Sequence, residues 1–338
     1  MKKSILCFSG AMLALSCILL LGSCGQNTDV ITLSYANFPP DSTFPCVQME
    51  RWKQEVEKRS NGRIKVNTFP GGTLLGAKDI FDGVVAGTAD IGNFAMSYQP
   101  GRFPVSEAID LPHFFANAQT ASRILADMLA EFKPDEFREV KILTVFTCPP
   151  GVVMSTQKAS TAADLQGLSL RSAGTLLEPM KLLGSIPVAM PQSEVPDALQ
   201  KGLIKGIVSS AEVLKDMNYA KYCKSVLLAN LPVTSFAVVM NQKKYDSLPD
   251  DLKAILDGLY YEQSKWTAEY VDQHVENSLA WARDEQQVQT ATLNAEVIAE
   301  LKTTLEPIFS AYRKKLQGRK IDAQVLLDFI NSHPAMKE

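Results

Sequence analysis

Apolar positions in the first hundred residues switch between two periods. Val30 to Ala36 alternates and is rich in β-branched residues, which predicts a strand. Asn37-Phe38-Pro39-Pro40 ends it in a loop, because a residue that precedes proline avoids the helical region. Met49, Trp52 and Val56 then recur at helical spacing among charges, an amphipathic helix that Asn61-Gly62 stops. Arg63 to Phe69 reads as a second strand, Pro70-Gly71-Gly72 as a sharp turn, Leu74 to Val85 as a second helix, and an apolar run ending near Phe94 as a third strand. This β-α-β-α-β order is the pattern of a parallel sheet covered by helices.

The last third carries a helical period instead. Asp250-Asp251 opens a helix with charges that suit its dipole, and Leu252, Ile255, Leu259, Trp266, Tyr270, His274 and Leu279 follow to about Asp284. At 1.5 Å per residue such a helix spans roughly 50 Å, more than one lobe of a protein this size. Gly258 is its only interior breaker. Asn294 is expected to cap a further helix through about Leu316, and Ala323 to Ile330 forms a last short one.

Between these regions lies the stretch with the clearest candidate chemistry. Leu168-Ser169-Leu170 alternates into Arg171, and the small residues Ser172, Ala173 and Gly174 follow. A short strand here delivers Arg171 to its C-terminal end, where ligands sit in open α/β sheets. The guanidinium fork donates two parallel hydrogen bonds and stays charged, which suits a carboxylate. The plain alternative is a solvated surface arginine.

The N-terminus bears on the compartment. Lys2 and Lys3 precede an apolar run from Ile5 to Leu21, and Leu21-Gly22-Ser23-Cys24 places small residues before a cysteine. This reads as a secretory signal over residues 1–23, too short and wrongly flanked for a membrane span. The ending resembles a bacterial lipobox, which implies cleavage before Cys24, acylation of its sulfur and a short tether over 24–30. Removing those 23 of the 338 residues leaves 315, with a net charge that moves from −3 to about −5. Such a balance gives no basic stripe for nucleic acid. Cys46, Cys148 and Cys223 remain with no Cys-x-x-Cys spacing; three buried thiols are expected, with one disulfide open as an alternative.

Several stretches together resemble one family. Gly62-Arg63-Ile64-Lys65-Val66, Phe69-Pro70-Gly71-Gly72-Thr73-Leu74 and Val84-Val85-Ala86-Gly87-Thr88-Ala89-Asp90-Ile91 are similar to the N-terminal lobe of TRAP-type solute-binding proteins. These are the extracytoplasmic receptors of tripartite ATP-independent carboxylate transporters. Asp164 to Arg171, Gly184 to Met190, Ser193 to Gly202, and Met240-Asn241 with Tyr245 to Pro249 match in the same order. The resemblance covers roughly residues 30 to 330. It implies an α/β, two-lobed periplasmic binding protein fold with mixed sheets and a long helix spanning both lobes. The implied division is an N-terminal lobe over 31–150, a second lobe over 151–235, and a crossing strand with the C-terminal helices over 236–338. It also implies that Arg171 clamps a ligand carboxylate, that no cofactor is needed, and that a membrane permease is the partner.

Further ligand-binding candidates come from the other strand ends. Asn37 and Phe38 lie on the first loop, Ser97 and Tyr98 on the loop after the third strand, Ser172 beside the arginine, and Ser209 and Ser210 at the end of a strand over Ile204 to Val208. Phe236 is placed at the end of a strand from Pro232, beside a crossing between lobes. Gly151 stands where many relatives that bind sugar acids carry a second basic residue, and Lys205-Gly206 lacks their acidic residue. Both departures favour a smaller or more apolar monocarboxylate: an α-keto, hydroxy or aromatic acid. An esterase or lyase, or a structural lipoprotein, is the competing class. His113, His274 and His333 stand near no Gly-x-Ser-x-Gly elbow, and neither a His-Glu-x-x-His helix nor a phosphate loop occurs.

Overall fold

The computed structural model describes residues 30–190 and 192–337. The predicted signal, Cys24 and the tether up to residue 29 lie outside them. Eleven strands form two mixed sheets among the described residues. The first contains β1 (Ile31–Asn37), β2 (Ile64–Phe69), β3 (Ile91–Ala95), β4 (Val140–Thr147) and β10 (Ser235–Asn241), in the order β2-β1-β3-β10-β4. β1 is parallel to β2 and β3, as the early pattern predicts, while β10 runs antiparallel between β3 and β4. The second sheet contains β5 (Gly151–Ser155), β6 (Ser169–Ser172), β7 (Ile186–Ala189), β8 (Gly206–Ser209), β9 (Ser225–Leu231) and β11 (Gln289–Thr292), in the order β11-β9-β5-β8-β6-β7.

The chain passes between sheets at 148–150 and again at 232–234. A third link is the helix Asp250–Gln286, 37 residues and about 55 Å long. Its first turns bury Leu252, Leu256 and Leu259 against the first sheet with Trp52 and Phe146. Its last turns bury Ala282 against Cys223, Val226 and Tyr219 of the second lobe. A single rigid element thereby shares both cores. Asn294 caps the helix Ala295–Leu316 by accepting from the Val297 amide, as expected.

Three local expectations change. The helix predicted from Leu74 forms only over Ile80–Val85, because Gly71 and Gly72 hold positive φ and the chain turns again at Gly76 before Asp79. The strand predicted from Pro232 begins at Ser235, so Phe236 stands at the start of β10. β11 appears where only a linker was expected; its Gln-Thr-Ala-Thr is an outer strand paired in parallel with β9. Cys46, Cys148 and Cys223 form no disulfide among the described residues; Cys46 and Cys223 are buried, and Cys148 is half-buried.

Candidate functional site

Between the sheets lies a cavity of about 580 Å³, a size that suits a small organic molecule. The first lobe builds its wall from Phe38, Pro39, Phe44, Tyr98 and Phe236, with Gly71, Gly72 and Gly76 along one side. Phe236 stacks on Phe146 at 5.2 Å and on Phe38 at 6.2 Å, and Phe38 leans on Tyr98 at 5.5 Å. Alternation along β10 turns Phe236 and Val238 to one face and Ala237 and Val239 to the other, so one strand serves two parts of the core.

The second lobe supplies every charged side chain on the wall: Arg171, Glu212 and Asp216. Arg171 sits in β6 between β7 and β8, aligned with Val188 and Ile207. It is 3% exposed. Its Nε donates to the Met190 carbonyl oxygen at 3.1 Å, which fixes the fork's direction. Its Nη2 is buried without a hydrogen-bond partner, and no carboxylate is paired with it among the described residues. A buried cation left so is costly and calls for an anion.

Glu212 and Asp216 follow β8 at i and i+4, which puts both on one face of a short helix over Val213–Asp216. Glu212 is also 3% exposed. Its Oε1 accepts from Ser210 Oγ at 2.6 Å, and its Oε2 has no partner. Burial raises its carboxyl to about 7, against the opposing pull of the Ser210 hydrogen bond. Asp216 Oδ1 meets His274 Nε2 of the long helix at 2.7 Å, and its Oδ2 is unpartnered. That hydrogen bond raises the imidazole above its ordinary value. Cys148, on the crossing beside this face, has its thiol pushed up by burial first and by Glu212 second.

Of the residues singled out in the sequence, Phe38, Tyr98, Gly151, Arg171, Ser209, Ser210 and Phe236 come together on this wall. Asn37, Ser97 and Ser172 do not. Asn37 is fully buried; its Nδ2 donates to the Pro45 carbonyl at 2.7 Å and its Oδ1 accepts from Asn93 at 3.0 Å, so it ties β1 to its neighbours. Ser97 backs the second lobe: a Cβ on Gly174, whose φ is +56°, would fall 2.6 Å from Ser97 Cβ. Ser172 is fully buried behind the arginine. A Cβ on Gly151 would come 3.2 Å from Leu231 Cβ and 3.3 Å from the Pro232 carbonyl, so the glycine accommodates a close crossing.

Glu212 and Asp216, which stand just beyond Ser209 and Ser210 on the wall, were not among the residues singled out in the sequence. The available signal was a pair of carboxylates four residues apart directly after a strand end. Their burial is tertiary and has no local mark. His113 Nε2 donates to the Ala108 carbonyl oxygen, and its ring packs on Phe115 and Phe309; burial lowers its imidazole to about 4. His333 meets Asp127. No group of side chains arranged to hold a metal occurs among the described residues.

Comparison with known proteins agrees with this architecture. The profile of the bacterial extracellular solute-binding proteins, family 7, matches residues 35–315. A TRAP periplasmic solute-binding protein from Desulfovibrio salexigens is 44% identical, with a TM-score of 0.83 over 89% of this chain and 94% of that one. Its cleft holds the C-terminus of a symmetry mate. A TRAP solute-binding protein from Rhodoferax ferrireducens, in complex with copurified benzoate, is 27% identical, with a TM-score of 0.85 over 91% and 98% of the two chains. A marine metagenome TRAP protein specific for aromatic acids, with 3-hydroxybenzoate, is 28% identical, with a TM-score of 0.83 over 91% and 98%. A buried arginine on a cavity between two lobes fits these relatives, and the chain belongs to the bacterial extracellular solute-binding protein family 7 as a solute receptor of the TRAP transporter type.

Proposed function

We propose that the cavity captures a small organic acid, with the ligand carboxylate on Arg171 and its apolar body against Phe38, Tyr98 and Phe236. The observation that carries this reading is the Arg171 guanidinium, buried on the cavity wall with Nη2 unpartnered. The fork donates two hydrogen bonds to a carboxylate that has lost its water. Aromatic and hydroxy acids suit a wall that sets Phe38, Phe44, Tyr98 and Phe236 beside a few polar groups. The benzoate and 3-hydroxybenzoate of two relatives support that class.

The lobes act as 31–150 and 151–235, with 236–338 adding a strand to each sheet and joining them. A ligand that touches both favours the closed state by its differential affinity. The closed receptor then delivers its acid to the permease subunits of a TRAP transporter. It works outside the cytoplasmic membrane, held there by a lipid on Cys24 after removal of residues 1–23. Cys24→Ala should release the protein from the membrane fraction; unchanged fractionation would contradict the anchor.

A thermal-shift screen against organic acids tests the receptor reading. At 100 times its dissociation constant a ligand adds about 2.7 kcal/mol of stability. Carboxylate hits that vanish in Arg171→Ala are expected. Hits confined to sugars, peptides or metal ions would overturn the assignment of Arg171.

A further inference from the structure

The cavity lining also includes two carboxylates, each with one oxygen that no described residue satisfies. Glu212 Oε2 and Asp216 Oδ2 are both buried, both unpartnered among the described residues, and both belong to residues on the cavity that Arg171 lines. Buried carboxyl oxygens without a donor are rare in folded proteins. The remaining oxygens are accounted for: Ser210 donates to Glu212 Oε1, and His274 holds Asp216 Oδ1. No hydrogen bond or ion pair joins either carboxyl to Arg171 among the described residues. The cavity wall thus carries a donor and an acceptor that do not pair with each other, with Phe38, Phe236, Leu176 and Met217 among the other residues that line it.

Resting on the receptor reading above, we propose that Glu212, with Asp216 behind it, forms a second polar subsite that accepts a hydroxyl hydrogen from the acid held by Arg171. Selection follows from the chemistry. A hydroxyl loses its water and gains an acceptor, and the carboxyl oxygen gains the donor it lacks. An unsubstituted acid leaves that oxygen unsatisfied. A methyl ether has no hydrogen to give. A second carboxylate would meet Glu212 and Asp216 as like charges, so dicarboxylates are disfavoured. Burial first and Asp216 after it raise the Glu212 carboxyl, with the Ser210 hydrogen bond and His274 opposing them.

Calorimetry at pH 8 with benzoate, the 3- and 4-hydroxybenzoates and their methyl ethers tests this in the wild type, Glu212→Leu and Glu212→Gln. In the wild type one hydroxybenzoate should bind about ten-fold or more tighter than benzoate and than its own ether, the equivalent of about 1.4 kcal/mol. The ratio should collapse toward one in Glu212→Leu and survive in part in Glu212→Gln, whose amide oxygen still accepts. Should Glu212→Leu not fold, the ranking of hydroxyl over ether in the wild type decides alone. Equal affinities for all three ligand types, an ether that binds as well as its phenol, or a preference unchanged in Glu212→Leu would overturn the subsite. Failure of every benzoate to bind would overturn it as well. Arg171-dependent binding of some other acid would in that case leave the receptor reading standing.

Discussion

The two lobes face the same cavity with opposite chemistry. The first offers aromatic rings and proline, with Phe38, Phe44, Tyr98 and Phe236 on the wall and no charged side chain. The second offers Arg171, Glu212 and Asp216. Position within each sheet accounts for part of the difference. β10 is a central strand flanked on both sides, so Phe236 is held by stacked rings. β6 and β8 are parallel neighbours whose C-terminal ends open on the cavity, where polar groups from the following loops gather. On the proposed function the comparison teaches a division of labour: the second lobe would choose the ligand's charge, and the first would cover its apolar body.

Removing the charge should break this division most. Arg171→Ala is expected to weaken acid binding by about 3–5 kcal/mol, as when one partner of a buried pair is lost. Apo stability should hold or rise, because the guanidinium has no carboxylate to lose. Arg171→Lys should recover only part, since an ammonium keeps the charge without the fork. Calorimetry and thermal melts read both effects; near-wild-type affinity in Arg171→Ala would remove the second lobe from its role.

The lobes should also respond to pH with opposite signs. Glu212 is raised from 4.5 to about 7 in the fold. Its contribution is present at low pH and is lost as pH rises between those values, by about 3 kcal/mol. His113, on the first lobe's side, is lowered from 6.5 to about 4. Its contribution is present above 6.5 and is lost as pH falls toward 4, again by about 3 kcal/mol. Urea unfolding of the apo protein from pH 4 to 8 should therefore flatten at its alkaline side in Glu212→Gln and at its acid side in His113→Gln. Unchanged slopes in either variant would contradict the corresponding burial.

Smaller effects belong to the wall and to the contact between lobes. Phe38→Ala removes a half-buried ring and should cost about 1–2 kcal/mol of binding for aromatic acids and less for short aliphatic ones. Equal losses for both classes would deny the first lobe its selectivity. Gly174→Ala places a methyl against Ser97 and should hold the lobes apart, weakening every ligand by roughly 1 kcal/mol. Gly174→Ala paired with Ser97→Gly should restore part of that loss.

Much of the architecture was legible because it is periodic. Leu168-Ser169-Leu170 announces the strand that carries Arg171, and the long helix follows from apolar residues recurring between Asp250 and Asp284. Asn294 as a cap needed only its place before a helical run. β11 was not legible: Gln289 to Thr292 is mostly exposed and polar, and it exists because β9 offers an edge. Asn37 occupies a turn-like place, but the Pro45 carbonyl and Asn93 that engage its amide come from other elements. Glu212 is the sharpest case. A carboxylate just before a short helix reads as solvated, yet Glu212 is buried, and the Cys148 crossing and His274 of the long helix that act on it are distant in sequence.

The most direct test of the account is a crystal structure of the protein saturated with the tightest acid from the screen. The account predicts the ligand carboxylate on the Arg171 guanidinium, with two oxygens at about 2.8 Å from its nitrogens, and the apolar body against Phe38 and Phe236. A carboxylate seated on the first lobe, or an acid bound with Arg171 still unpartnered, would contradict it.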